Sequence, residues 1–242
     1  MTRVLCLHGL GGSGATMWPI VAACIDSGFI VLAPTLPGHG TDPTDLVGIT
    51  WSDWLDAARA WEADVVIGQS MGGCLALQLA TEQRCRAVVC INPLAPDPDA
   101  IDGLEWRKSR GHEWIDVAAS TVGEIAYERL PISALIEMTE GVAGIDLSAV
   151  DQPVLLATSV NDDLVDPASS DVIASAIGGD VQRLQLPNSG HVATLDRDRH
   201  VLQQAIVEFA RSKTVSARTV SARTVSARTV SDSTGSRPMR DR

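Results

Sequence analysis

The sequence predicts an α/β protein with a mostly parallel sheet, helices on both faces of that sheet and a small helical cap insertion. Apolar segments of strand length alternate with segments of helical periodicity along most of the 242 residues. Such alternation is typical of parallel sheets covered by helices. In addition, glycine-rich loops directly follow two of the strands, at the end of the sheet where open α/β folds bind ligands.

The individual elements follow from the spacing of apolar residues. Strands are expected where apolar residues run continuously, as in buried parallel strands. Helices are expected where apolar residues recur every three or four positions. The predicted strands are 3–7, 29–33, 65–67, 87–91, 154–158 and 181–186, and the predicted helices are 17–27, 51–61, 74–80, 169–177 and 198–210.

These elements divide the chain into four parts. Residues 1–93 and 149–211 are expected to form one core. Residues 94–148 contain no clear strand, and we interpret them as several short helices that cap the active site. Residues 212–242 include Thr-Val-Ser-Ala-Arg three times in succession. This polar repeat has no apolar face to bury, so we expect a disordered tail.

The charge distribution restricts the class of partner. The net charge is −11, although residues 212–242 hold seven basic and two acidic residues, a net of +5. The rest of the chain is therefore strongly acidic, which disfavours nucleic acid and anionic membranes as partners. The apolar runs are too short to span a membrane, and the first residues do not resemble a signal peptide.

The cysteines favour a reducing compartment, so a cytoplasmic location is expected. None of the five forms a C-x-x-C pair, and most lie inside apolar runs. This pattern is typical of buried hydrophobic residues rather than of disulfides or a zinc site. No sequence pattern specifies an oligomeric state. The cysteines are Cys6, Cys24, Cys74, Cys85 and Cys90.

The segment from Val65 to Gly73 carries the clearest chemical signal. A strand runs into Gly68-Gln69-Ser70-Met71-Gly72, and a helical segment follows. This is the G-x-S-x-G nucleophile elbow in its strand–turn–helix context. The turn exposes the Ser70 hydroxyl above the sheet, and the glycines avoid a clash of a Cβ atom with the neighbouring strand or helix.

A serine nucleophile needs a histidine base and an acid that orients the histidine. Elbow hydrolases supply them in the chain order serine, acid, histidine. Here Ser70 precedes the acidic cluster that follows the strand 154–158, and His191 lies in the loop after the next strand. Asp162, Asp163 and Asp166 are all within reach, and the physics of the sequence alone leaves Asp162 and Asp163 as alternatives.

Two backbone N–H groups are expected to stabilise the tetrahedral oxyanion. One belongs to Met71, the residue after the nucleophile. The other is expected in the loop after the first strand, where Leu10 is the best candidate because Gly11 and Gly12 allow close approach of a substrate.

The sequence resembles the α/β-hydrolases, in particular small bacterial carboxylesterases and monoacylglycerol lipases. The resemblance covers residues 3 to about 210 except the cap. It rests on Leu7-His8-Gly9-Leu10, Pro37-Gly38-His39-Gly40, Trp51-x-x-Trp54, residues 68–73, residues 162–167 and residues 189–196. The resemblance implies that Asp162 is the acid and that His8 is structural.

These observations predict a serine hydrolase that cleaves small or medium acyl esters without a metal or an organic cofactor. The small-molecule ester is the expected partner, and an apolar acyl pocket is expected from Leu94, Trp106, Trp114 and Met138 together with Leu10. The alternatives are other acyl chemistry on the same residues, as in thioesterases, lactonases or acyltransferases, and a non-catalytic binding protein on the same fold.

Overall fold

The structure, a computed structural model, describes residues 1–118 and 121–229, with side chains as far as Thr214. Eight strands are present in these residues, of which six form one sheet and two form a separate hairpin. The strands are β1 (Arg3–Leu7), β2 (Ile30–Leu32), β3 (Val65–Gln69), β4 (Ala87–Ile91), β5 (Trp114–Asp116), β6 (Arg129–Pro131), β7 (Val154–Ser159) and β8 (Val181–Leu186).

Seven α-helices accompany these strands in the described part of the chain. They are α1 (Trp18–Asp26), α2 (Trp51–Arg59), α3 (Met71–Thr81), α4 (Pro98–Ser109), α5 (Ile132–Ala143), α6 (Ser169–Ala176) and α7 (Arg199–Thr229). Short 3₁₀ turns lie at Gly14–Met17, Pro43–Leu46 and Leu147–Ala149.

The large sheet has the order β2-β1-β3-β4-β7-β8, and every pair in it is parallel. Its two faces bury separate apolar clusters because successive side chains point to opposite sides. Leu5 packs on the face covered by α2, α3 and α6, whereas Val4 packs on the face covered by α1 and α7. The predicted parallel sheet with helices on both faces is thus confirmed.

The chain leaves β1 toward β2 on one side and returns to β3 on the other. The order β2-β1-β3 therefore makes β1 and β3 the topological switch point of the sheet. Ligands of open α/β sheets bind beyond the carboxyl ends of the strands at such a point. The loop that begins at His8 and the turn at Ser70 follow these two strands directly.

The insertion between β4 and β7 differs from the predicted all-helical cap. It contains α4 and α5, but also the antiparallel pair β5–β6, in which Ile115 lies opposite Leu130. The sequence analysis found no strand here because each strand is three residues long, too short to show an alternating pattern. Residues 119–120, within the connection between β5 and β6, lie outside the described residues.

The structure of residues 212–229 differs from the predicted disordered tail, because these residues continue the last helix. α7 continues from Arg199 to Thr229, whereas the sequence analysis ended this helix near residue 210. No glycine or proline occurs between these residues, so no residue type that stops a helix interrupts the repeat. The remainder of the predicted tail, residues 230–242, lies outside the described residues. Among residues 1–118 and 121–229, no helix combines the length and the apolar character needed to cross a membrane.

Candidate active site

Ser70 forms the turn between β3 and α3 and has the backbone geometry of an elbow. Its φ is 54° and its ψ is −124°, a sparsely populated conformation for a residue with a Cβ atom. The N–H of Ser70 donates to the Ile91 carbonyl at 2.8 Å, which fixes the turn against β4. Its side chain is nearly buried, with the residue 9% exposed.

The two elbow glycines are required by close backbone contacts. A Cβ atom on Gly68 would lie 2.0 Å from the Gly72 carbonyl oxygen, and one on Gly72 would lie 2.3 Å from the Leu7 carbonyl oxygen. Real Cβ atoms do not approach backbone this closely, so any side chain would force β3, α3 and β1 apart. These contacts explain the G-x-S-x-G spacing in the way that the sequence predicted, because a Cβ atom at either glycine would clash with neighbouring backbone.

His191 and Asp162 contact each other at the same edge of the sheet. The Nδ1 atom of His191 lies 2.8 Å from Oδ2 and 3.1 Å from Oδ1 of Asp162. The side chains are only 10% and 2% exposed, so water competes little for this contact. A carboxylate facing Nδ1 places the ring proton there and leaves the Nε2 lone pair available as a base.

The path of the loop after β7 determines which of the candidate acids contacts His191. The backbone N–H groups of Leu164 and Val165 donate to Asp162 Oδ1 at 3.0 and 2.9 Å, which holds this carboxylate toward His191. Asp163 is exposed, and Asp166 accepts a hydrogen bond from the N–H of Ala168 at the start of α6. The structure thus places Asp162, and not its two neighbours, against the histidine.

The loop after β1 passes directly beside Ser70. A Cβ atom on Gly9 would lie 3.1 Å from the Cβ atom of Ser70 and 3.5 Å from its Oγ atom. Leu10 is the next residue, and Met71 begins α3, where the first N–H groups of a helix have no partner within it. The N–H of Tyr127, from the insertion, donates to the Gly11 carbonyl at 3.0 Å and so ties this loop to the cap.

The geometry can be compared with known proteins. Residues 4–204 match the model of the "Alpha/beta hydrolase family". The chain belongs to the α/β hydrolase family. This membership agrees with the resemblance that the sequence motifs predicted.

Two curated relatives of this α/β hydrolase are a lipase and a carboxylesterase by name. The chain is 31% identical to "Thermostable monoacylglycerol lipase" of Bacillus sp. (strain H-257), over 85% of this chain and 89% of that protein. It is 23% identical to "Carboxylesterase" of Bacillus subtilis (strain 168), over 85% of this chain and 91% of that protein. The predicted class of ester hydrolase agrees with these names.

A solved structure of metagenome-derived lipolytic enzymes, LipS and LipT, is similar to the hydrolase over most of its length. The TM-score is 0.79 at 30% identity, and the match covers 87% of this chain and 93% of the other. The crystal structure of the Paleococcus ferrophilus monoacylglycerol lipase has the same fold, with a TM-score of 0.69 at 17% identity over 87% of this chain and 94% of that one.

Glu124 is a polar residue of this hydrolase's site that the sequence reasoning missed. Its Oε1 atom accepts a hydrogen bond from Thr16 Oγ1 at 2.9 Å and would lie 3.1 Å from a Cβ atom on Gly12. Burial raises the pKa of the Glu124 carboxyl, while the hydrogen bond from Thr16 and the nearby His191 act in the opposite direction. A single glutamate in the insertion belongs to no motif, so no pattern in the sequence indicated it.

The structure brings together only part of the predicted acyl pocket. Met138 is 7% exposed and lies in the apolar cluster against which Leu10 and Leu94 also pack. Trp106, in contrast, is 59% exposed, and the guanidinium of Arg110 lies 5.6 Å from its ring. Trp114 is half-buried under Arg129 at 4.6 Å and is absent from the apolar clusters of the described residues. We therefore do not retain either tryptophan as an acyl contact.

A cavity of about 410 Å³ adjoins the acid loop. Its apolar lining includes Leu94, Val142, Leu164, Val165 and Val172. The Leu94 carbonyl accepts from Cys74 Sγ at 3.4 Å, within the first turn of the helix that Ser70 introduces. The cavity therefore lies between the end of β4 and the loop of Asp162, and Asp97, Thr139, Asp166 and Ser169 add polar groups to its lining.

Two further histidines, His8 and His39, have buried, structural environments in the hydrolase. His8 is fully buried, and its Nε2 accepts a hydrogen bond from the N–H of Leu36 at 3.0 Å. Burial and the nearby His39 lower the pKa of His8 to about 3. Burial also lowers the pKa of His39. Both rings are therefore neutral near pH 7, as expected for residues that pack the loops under the site.

We expect the buried His8 to make the protein sensitive to acid. Its folded pKa lies below the unfolded value, so the stabilisation is fully present above about pH 6.5 and is lost as the pH falls toward 3. Between pH 6 and pH 4.5 this loss should be about 2 kcal/mol. Urea unfolding at pH 6 and pH 4.5 measures this loss in the free energy of unfolding. The loss should be about 2 kcal/mol smaller in His8→Gln than in the parent chain.

His200→Gln is the matched control for this measurement, because His200 is exposed on α7. The control should keep the pH dependence of the parent chain. An identical loss of stability in His8→Gln and the parent chain would contradict the assignment of a neutral buried His8.

Proposed function

We propose that the chain is a serine ester hydrolase of the carboxylesterase or monoacylglycerol lipase type that cleaves small to medium acyl esters. One observation carries the proposal: His191 Nδ1 lies 2.8 Å from Asp162 at the sheet edge that also presents Ser70 in an elbow turn. The two curated relatives, a monoacylglycerol lipase and a carboxylesterase, support the same class of reaction.

The proposed reaction begins with attack of Ser70 Oγ on the ester carbonyl carbon. His191 takes the hydroxyl proton through Nε2 and passes it to the alkoxide of the leaving alcohol, while Asp162 stabilises the resulting imidazolium. The acyl group is then bound to Ser70 as an ester. The same His191 deprotonates a water molecule, whose attack releases the carboxylic acid and returns the proton to Ser70.

The N–H groups of Leu10 and Met71 are proposed to bind the oxyanion of both tetrahedral intermediates. The contact of the Gly9 backbone with Ser70 supports this role for the loop after β1. Oriented N–H donors stabilise the charge that develops on the oxyanion, and loss of a single donor costs about 100-fold to 1000-fold in kcat in the serine hydrolase subtilisin.

The substrate is proposed to be a small molecule, with neither nucleic acid as a partner nor a metal or organic cofactor in the mechanism. Leu10, Leu94 and Met138 support an acyl site because they share one apolar cluster. We also propose a cytoplasmic location, which is supported by the five cysteines, all of them free and buried.

Labelling with a fluorophosphonate tests the proposed function. The probe reacts with an activated serine, so mass spectrometry of the digested protein should locate the adduct on Ser70. Hydrolysis of nitrophenyl esters and monoacylglycerols by the same preparation should be lost in proportion to labelling. A protein that stays unlabelled and inactive would be a binding protein on this fold, and the proposal would be wrong.

The cavity beside Leu94 predicts a limit on acyl length. Each methylene buried adds about 0.8 kcal/mol, so kcat/KM should rise about fourfold per carbon until the chain meets the wall. Leu94→Trp should fill part of the cavity and move the optimum of a nitrophenyl ester series to shorter chains. Acetate should still be hydrolysed at nearly the original rate.

Trp106→Ala is the matched control for this series, because it changes an exposed aromatic residue outside the apolar cluster. Its chain-length profile should equal that of the parent chain. If Leu94→Trp also keeps the parent profile, the acyl chain lies elsewhere.

A further inference from the structure

The carboxyl end of β4 carries an unusual polar residue that belongs to no assigned role. Asn92 is 3% exposed and has a φ of 47°, in the left-handed region. Asparagine tolerates this region better than other residues with a Cβ atom. The N–H of Asn92 donates to the Ala157 carbonyl at 2.9 Å, so the backbone is anchored to β7 while the side chain turns under the active-site loops.

The side chain of Asn92 joins the two loops that supply the acid and the base. Its Oδ1 accepts from the N–H of Ser159 at 2.7 Å, at the end of β7 and just before the loop of Asp162. Its Nδ2 donates to Ser159 Oγ at 2.9 Å and to the His191 carbonyl at 2.8 Å. The Gly190 carbonyl is a further, longer acceptor at 3.4 Å.

Among side chains of the size of asparagine, only a primary amide satisfies this set of hydrogen-bonding partners. The Ser159 N–H requires an acceptor, whereas the His191 carbonyl requires a donor, and an asparagine side chain supplies both. A carboxylate would face the His191 carbonyl without a proton to share, and an apolar side chain would leave buried polar groups unpaired. The chemistry of the pocket thus selects asparagine.

We propose that Asn92 is a positioning residue that sets His191 relative to Asp162 during catalysis. The proposal rests on the proposed function, because it acts through those two residues. Opposite Asn92, Asp196 Oδ2 accepts from the Gly190 N–H at 2.8 Å, so the His191 loop is held on both sides. An error of about 1 Å in such a position can cost about 100-fold in rate.

The experiment compares Asn92→Gly with the parent chain. Glycine keeps the left-handed backbone and removes the whole side chain, and with it all the hydrogen bonds that the amide makes. We expect kcat to fall about 10-fold to 100-fold with KM changed less than about twofold, because the contacts to substrate are retained. The pH profile of kcat/KM should also differ from that of the parent chain, because the variant no longer fixes the His191 loop relative to Asp162.

Gln83→Gly is the matched control, since Gln83 also has a positive φ, 55°, but lies exposed beyond the end of α3. It should keep the parent rate and pH profile. Asn92→Asp keeps the size of the side chain and its tolerance of positive φ, and it replaces Asn92→Gly if that variant does not fold. If neither variant folds, Asn92 is a structural residue and the proposal is overturned.

Combination with Asp162→Asn separates positioning from a general effect on the fold. If Asn92 acts through the Asp162–His191 contact, Asn92→Gly should lower kcat less than about threefold in that background. An equal fold-loss in both backgrounds, or a folded variant with the parent kcat and pH profile, would overturn the proposal. A failure of the proposed function would give a different result from a failure of this inference. In that case the parent chain itself would not be labelled by the fluorophosphonate at Ser70.

Discussion

Ser70→Ala is expected to lower kcat for ester hydrolysis by a factor on the order of 10⁶, the largest effect of any single change in this chain. Alanine removes the nucleophilic oxygen but keeps the Cβ atom and the backbone of the elbow. The variant should therefore retain the fold, and circular dichroism should match the parent chain. Steady-state hydrolysis of a short nitrophenyl ester, together with loss of fluorophosphonate labelling, measures the effect.

Ser175→Ala is a suitable control, because Ser175 is exposed on α6 and its hydroxyl only caps the Val172 carbonyl. It should keep the parent rate and labelling. A Ser70→Ala variant that retains more than about one hundredth of the parent kcat would assign the nucleophile to another residue.

Asp162→Asn is expected to lower kcat by a factor on the order of 10⁴. The amide can offer its N–H group to His191 Nδ1, which favours the tautomer with the proton on Nε2. That tautomer cannot accept the Ser70 proton. The carboxamide also leaves the imidazolium without a negative partner in a site where the aspartate side chain is only 2% exposed. The rate should be measured across pH, with KM determined at each value.

Asp163→Asn is the neighbouring control and should stay within about twofold of the parent kcat, because exposed substitutions away from the site have small effects. Asp163 is exposed and lies next to the acid in the chain. If Asp163→Asn were the inactive variant and Asp162→Asn the active one, the assignment of the acid would be wrong by one residue.

Local sequence patterns predicted the sheet and the elbow because the apolar run in β3 and the G-x-S-x-G spacing are visible within one short segment. The steric reason for Gly72 is not local, because it is the Leu7 carbonyl of β1 that approaches this glycine. The choice between Asp162 and Asp163 is different. Both carboxylates stand in the same loop, and only the path of that loop decides which one reaches His191.

Features that depend on tertiary packing could not be predicted from spacing. Trp106 has the residue type of a pocket wall, but the exposed face of α4 carries it. Glu124 and Asn92 form hydrogen bonds with residues that are distant in the sequence. Glu124 accepts from Thr16, and Asn92 donates to Ser159. Single polar residues of this kind show no periodicity, so the sequence offers no signal that separates them from surface residues.

The insertion leaves and rejoins the sheet at neighbouring strands, and this affects how the substrate range of such a chain can change. The insertion leaves after β4 and returns at β7, and these strands are adjacent and paired, with Ile91 opposite Ala157. The two chain ends of the segment therefore lie side by side, and the sheet stays continuous whatever length joins them. We therefore expect that the whole segment can be replaced without disrupting the sheet, provided that the replacement rebuilds the hydrogen bond that the N–H of Tyr127 donates to the Gly11 carbonyl.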